Sequence, residues 1–229
     1  MTVNGFQKMT LLDFPGKVAC TIFLGGCNMR CPFCHNAGLV LGDGTDTFSG
    51  EEIISYLEKR KGILDGVCIT GGEPTLRRDL PEFIREIKNL GYAVKLDTNG
   101  TNPALLKSLI LDGLVDYVAM DIKNSFEKYP QTVGVDNFDI TPIKESIDFL
   151  LSGAVDFEFR TTVVKQLHTV EDIERIAKEI SPAKKYFIQN FVDSGNLIGQ
   201  GLCARDEQTL KEMLATAQKQ IPGAALRGV

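Results

Sequence analysis

Cys27, Cys31 and Cys34 lie in the stretch "GGCNMRCPFCHN" (25–36), directly after the apolar run "VACTIFL". Their spacing, C-x3-C-x2-C, lets one loop fold back and aim three thiolates at a common centre. Iron–sulfur clusters are held by cysteine thiolates, normally four. With three, one iron of a 4Fe–4S cube keeps a position without a protein donor, and an open position on a metal is where a substrate can bind. Two other chemistries compete for the same thiols. Structural zinc wants four ligands, commonly in two separated pairs. His35 adjoins Cys34 and is poorly placed as a fourth, while Cys20 and Cys68 sit singly in apolar runs, where a buried inert thiol is the ordinary role. "CPFCH" also matches the haem-attachment pattern C-x-x-C-H, but that reading leaves Cys27 without a function. Cys203 stands alone near the C-terminus.

The elements that must position this loop follow one alternation along the chain. Short β-branched runs at 18–24, 66–70, 92–97, 117–123, 157–164 and 185–191 each precede a segment of helical periodicity. Ser49 with Glu52 and Asp79 with Glu82 read as capping boxes. Asn102-Pro103 and Thr141-Pro142 each place a capping side chain before a helix-starting proline, and a last amphipathic helix is expected over 206–220. Six strand–helix units imply a parallel sheet, because parallel neighbours need a crossover between them. Eight units would close a full barrel of roughly 250 residues. The expected architecture is therefore α/β: a partial (βα)6 TIM-like barrel, open at one side. A doubly wound open sheet is the second choice.

Either architecture places chemistry in the loops after the strand C-termini. The cysteine loop, "TGGEP" (70–74), "DTNG" (97–100) and "DIK" (121–123) all fall there. Singly, each has a plainer explanation. A glycine pair after a strand is usually a turn. An aspartate is often a cap, Lys123 a solvated side chain, Arg160 a partner for Glu158, and His168 a surface residue. Their joint placement at consecutive strand ends argues for a site.

The 229 residues form one expected domain (1–229) with a cluster-binding loop at 25–36, at a size that usually means one large domain or two small ones. A formal net charge of −5 without a long basic run speaks against nucleic-acid binding. The longest apolar run, 18–24, is too short to span a membrane, and "MTVNGFQKMT" lacks a secretory h-region. A cytoplasmic location is expected. Structural disulfides are rare there, so six cysteines point to metal or redox chemistry.

With aromatic Phe33 before the last cysteine and "GGEP" after the second strand, the chain resembles the radical S-adenosylmethionine superfamily. "LLDFPGKVACTIFLGGCNMRCPFCHN", with "DTNG" and "MDIK" downstream, is similar to the glycyl-radical-enzyme activases. The likeness is greatest to anaerobic ribonucleoside-triphosphate reductase activating proteins; pyruvate formate-lyase activating enzyme is the nearest relative with a different client. The resemblance implies that Cys27, Cys31 and Cys34 hold a 4Fe–4S cluster that cleaves S-adenosylmethionine reductively, yielding a radical that takes hydrogen from a glycine of a partner enzyme. It implies Phe33 beside the adenine, and Gly71, Gly72 and Glu73 at the methionine amino group. Asp97, Asp121 and Lys123 would surround the carboxylate end, Arg160 would also reach the cosubstrate, and a monovalent cation is expected at Asp97, Thr98 and Asp121. Where relatives can use a histidine at the end of the sixth strand, this chain has Gln189 and Asn190. A flavodoxin or ferredoxin is the expected electron donor. The rival readings are another radical S-adenosylmethionine enzyme and, from a different class, a non-catalytic iron–sulfur or zinc protein.

Overall fold

Each of the six apolar runs becomes a strand in the computed structural model, which describes residues 1–42 and 47–228. In chain order the first half comprises β1 (Thr2–Val3), β2 (Gly5–Thr10), β3 (Ala19–Leu24), α1 (Ala37–Leu41), β4 (Phe48–Ser49), α2 (Gly50–Glu58), β5 (Gly66–Gly71), α3 (Leu80–Asn89) and β6 (Ala93–Thr98). The second half comprises α4 (Pro103–Leu111), β7 (Tyr117–Asp121), α5 (Tyr129–Val133), α6 (Thr141–Leu151), β8 (Asp156–Val163), α7 (Val170–Glu179), β9 (Tyr186–Asn190), α8 (Glu207–Gln218) and β10 (Ala224–Arg227).

The main sheet runs β10-β9-β8-β7-β6-β5-β3-β2, with every neighbour parallel except the antiparallel β2–β3 pair. Strand order follows chain order without reversal. A doubly wound sheet needs a reversal at a switch point, so that alternative is excluded. The outermost strands, β2 and β10, do not pair with each other, which leaves the sheet open. Both were missed as strands. β2 ("GFQKMT") is half exposed and lacks a β-branched run, and β10 is only four residues long. The short antiparallel pair β1–β4 was missed for the same reason of length.

Alternation along the strands separates two faces. One carries Cys20, Ile22, Val67, Ile69, Val94, Leu96 and Val118, all fully buried in a single core with Ile53, Leu57, Ile84, Ile87 and Leu109 of the helices. The other is polar. Across neighbouring strands Thr21 pairs in register with Cys68, Cys68 with Lys95 and Lys95 with Tyr117; four residues beyond Tyr117, Asp121 faces Arg160. At the N-terminal end of this lumen Phe14 packs on Ala19 and Tyr117.

Two of the four expected caps form. Ser49 and Glu52 make the reciprocal box at α2, and Asn102 Oδ1 accepts the Leu105 N–H at 3.2 Å. Asp79 has helical backbone angles instead of the extended ones a capping side chain needs, and its carboxylate turns to Arg77. Thr141 does not cap α6; its own N–H donates to Asp139 Oδ1 at 2.9 Å. No helix among the described residues is long and apolar enough to cross a membrane.

Candidate functional site

β3 and β5 to β9 end at the same edge of the sheet, and their loops surround a cavity of about 320 Å³. The cysteine loop forms one wall, fastened mainly by main-chain groups. Gly26 N–H donates to Leu39 O (2.9 Å) and Arg30 N–H to Val133 O (2.8 Å), while the Arg30 guanidinium reaches Cys27 O and Met29 O (2.7 and 2.8 Å). Cys27, Cys31 and Cys34 all line the cavity, as does the buried ring of Phe33. Burial pushes the Cys31 thiol up to about 12 and raises Cys27, whose sulfur also accepts the Met29 N–H at 3.4 Å.

The glycine pair fits against this loop. Gly72 N–H donates to Leu24 O and Glu73 N–H to Gly26 O, both at 2.8 Å. A Cβ on Gly72 would lie 2.0 Å from Gly26 O; one on Gly71, whose φ is +121°, would lie 2.4 Å from Leu24 O. Only glycine fits both positions. Gly71 and Gly72 line the cavity; Glu73 does not. Its carboxylate is fully buried and saturated: Oε1 accepts from Thr75 N–H (3.0 Å), Thr75 Oγ1 (2.5 Å) and Thr98 Oγ1 (2.8 Å), and Oε2 accepts from Asn99 N–H (2.6 Å). Burial raises the Glu73 pKa against the pull of these four donors. In this arrangement the Glu73 side chain ties the "TGGEP" loop to the "DTNG" loop.

The opposite wall is ionic. Arg160 bridges two carboxylates, with Nε 2.9 Å from Asp121 Oδ1 and one terminal nitrogen 3.2 Å from Asp97 Oδ2. Lys123 Nζ lies 3.0 Å from Asp121 Oδ2. Burial opposes the charge of each group, but the opposite charges prevail. They hold Asp97 and Asp121 below the usual carboxylate range, and raise Lys123 and Arg160. Arg160 makes these contacts instead of one to Glu158, which is taken by Arg227 and Tyr117. Gln189 and Asn190 both line the cavity, and the Asn190 amide also exchanges two hydrogen bonds with the Arg205 backbone, both 2.9 Å.

His168 overturns its expected place on the surface. It is fully buried, stacks edge-on against Phe33 with ring centroids 6.2 Å apart, and links two chain segments. Its Nδ1 accepts the Val164 N–H at 3.1 Å, which leaves Nε2–H to donate to Lys123 O at 2.7 Å. Burial lowers its pKa, in keeping with this neutral form. Asn99 and Asn36 were also missed. Asn99 Nδ2 lies 3.9 Å from Cys27 Sγ, and Asn36 Nδ2 donates to Gly71 O at 2.8 Å. Both stand inside the stretches that drew notice, "DTNG" and "CPFCHN", so proximity to a motif was their signal.

Of the residues expected at the site, the structure gathers all but Glu73 around one cavity. The sequence matches the family described as the radical SAM superfamily over residues 21–180. A Methanocaldococcus jannaschii protein named "Putative glycyl-radical enzyme activating enzyme" is 37% identical, with 99% of this chain and 96% of the relative covered. A Saccharolobus solfataricus protein named "Probable GTP 3',8-cyclase" is 41% identical over 53% of this chain and 41% of its own. Among solved structures, a radical SAM methyltransferase from Sphaerobacter thermophilus superposes with a TM-score of 0.74 at 12% identity, covering 96% of this chain and 68% of that one; at such low identity the likeness is one of fold. With the family model matched over most of its length and a relative aligned from end to end, this chain belongs to the radical SAM superfamily.

Proposed function

We propose that this protein is the activase of a glycyl radical enzyme, with an anaerobic ribonucleotide reductase as its client. The observation that carries the reading is the convergence of three cysteines, a glycine pair and a chain of ion pairs on one cavity. Superfamily membership implies a 4Fe–4S cluster and S-adenosylmethionine. The donor set fits such a cluster. Three thiols of one loop line one cavity, and three thiolates on a 4Fe–4S cube leave one iron open to a substrate, facing the space the other strand-end residues surround.

In this reading Cys27, Cys31 and Cys34 hold the cluster, which when bound supplies the electron for reductive cleavage of S-adenosylmethionine. The chain's own side chains bind, orient and shield. Main-chain groups of Gly71 and Gly72 receive the methionine amino end, and Lys123 and Arg160 receive the carboxylate. Phe33, held by His168, borders the adenine, and Gln189 takes a place at the end of β9 that in relatives a histidine can fill. A monovalent cation at Asp97, Thr98 and Asp121 has less to do than expected. Arg160 and Lys123 already neutralise the two carboxylates, and Thr98 turns its hydroxyl to Glu73. We assign the compensating charge to those side chains.

The whole chain acts as a single domain in this account, which its continuous sheet supports. The end-to-end match to the relative named for glycyl-radical activation favours an activase over a cyclase, whose match spans about half of this chain. The choice of client rests on the likeness of "LLDFPGK" and "CNMRCPFCHN" to reductase activating proteins. A flavodoxin or ferredoxin would be the external electron donor to this protein. The test is to mix the reconstituted, reduced protein with S-adenosylmethionine and an anaerobic ribonucleotide reductase, then record the electron paramagnetic resonance spectrum. A doublet glycyl signal is expected. Its absence with the reductase and presence with a pyruvate formate-lyase-type enzyme would move the assignment to that client.

A further inference from the structure

Lys95 is a buried cation that stands behind the cavity instead of on its wall. From it, charges alternate outward across three strands. Lys95 Nζ contacts Asp97 Oδ1, Asp97 Oδ2 contacts Arg160, Arg160 reaches Asp121 Oδ1, and Asp121 Oδ2 meets Lys123. Side-chain exposure rises along this chain, from 2% at Lys95 to 32% at Asp121, so Lys95 is the deep end and Asp121 with Lys123 the mouth. Three cations face two carboxylates, which leaves one positive charge in excess.

We propose that Lys95 is a positioning residue for the carboxylate of S-adenosylmethionine: by occupying Asp97 Oδ1 it keeps Arg160 shared between Asp97 and Asp121, and so keeps the excess positive charge at the cavity wall. The inference rests on the reading that this cavity takes S-adenosylmethionine. Without Lys95, Asp97 would hold a buried oxygen lacking a cationic partner. Arg160 would be drawn onto Asp97 with both nitrogens, away from Asp121 and from the incoming carboxylate. Cys68 cannot substitute. Its sulfur lies 3.7 Å from Lys95 Nζ and 3.8 Å from Asp97 Oδ1, but burial keeps the thiol neutral. Two other carboxylates on this face have partners of their own: Glu158 is held by Arg227 at 2.6 and 3.0 Å, and Asp13 Oδ2 accepts the Thr21 hydroxyl at 2.6 Å, two strands away from Lys95.

The experiment compares Lys95→Met with the parent, both reconstituted anaerobically. Calorimetric titration with S-adenosylmethionine is set against titration with decarboxylated S-adenosylmethionine, which keeps the sulfonium and the amine. The variant is expected to bind S-adenosylmethionine about tenfold more weakly (~1.4 kcal/mol) and the decarboxylated compound within about twofold of the parent. Equal weakening toward both ligands, or none, would overturn the role of Lys95. A parent protein that binds neither ligand would instead overturn the functional reading beneath it. If Lys95→Met does not fold, Lys95→Gln, which can donate to Asp97 without a charge, is measured against the same outcomes.

Discussion

On the cysteine side of the cavity, loops meet main chain to main chain; on the lysine side, strand ends meet through charge. The first contact leaves no room for a side chain, since Gly72 lies against Gly26 and Gly71 against Leu24. The second spans longer side chains whose fit depends on pairing, with Arg160 shared by two aspartates. A steric joint fails outright when a single methyl is added. An ionic joint shifts gradually with pH and with each partner removed. The two walls therefore answer to different perturbations.

Gly72→Ala carries the largest expected effect. Its Cβ meets a carbonyl oxygen of the main chain, which cannot rotate away, so about 3 kcal/mol or more of strain falls on the cysteine loop. Iron and sulfide content after anaerobic reconstitution should drop to a small fraction of the parent's; parental loading would break the steric half of the comparison. Glu73→Gln comes next, because an amide puts an N–H where a buried carboxylate now accepts four hydrogen bonds. Denaturant melts should show a loss of about 2 kcal/mol. The folded variant should bind S-adenosylmethionine within twofold of the parent, whereas a large selective loss of affinity would return Glu73 to the binding wall.

The ionic wall predicts a pH response. The pKa values of Asp97 and Asp121 are depressed in the folded protein, so their contribution is present above the unfolded value of about 3.9 and is lost as pH falls below it. Glu179 has the opposite sign. Burial raises it to about 7 while the Phe126 N–H opposes, so its contribution is full below about 4.5 and lost as pH rises through about 7. Glu179 is half-buried, so the effect is small, about 1 kcal/mol or less. Thermal melts of the apoprotein should fall slightly between pH 6 and 8, and Glu179→Gln should remove that slope; an unchanged slope refutes the assignment. Smallest of all is Cys203→Ala. The exposed thiol touches neither wall, and cluster content and melting temperature should match the parent's.

The parallel core strands were legible because they are buried and β-branched, so periodicity reports them directly. β2 and β10 were not, since edge strands are short or solvated and their pairing is set by the neighbouring strand. The cysteines and the polar residues after the strands were legible by type and spacing. The direction of the Glu73 side chain was not legible, because a motif names the residue without saying which way its side chain turns, and Thr75, Thr98 and Asn99 turn it inward. His168 stands just before a helix, where sequence favours exposure; only the tertiary approach of Phe33 and Lys123 buries it. Lys95 drew no notice because a lysine within a strand carries no local signal. Its partners, apart from Asp97, lie on other strands.

The central claim is that Cys27, Cys31 and Cys34 together hold a cluster able to cleave S-adenosylmethionine. The most direct test quantifies 5′-deoxyadenosine formed under reducing, anaerobic conditions by the parent and by Cys31→Ala. Formation by the parent and none by the variant is the predicted result. No product from a fully loaded parent, or undiminished product from Cys31→Ala, would contradict the account.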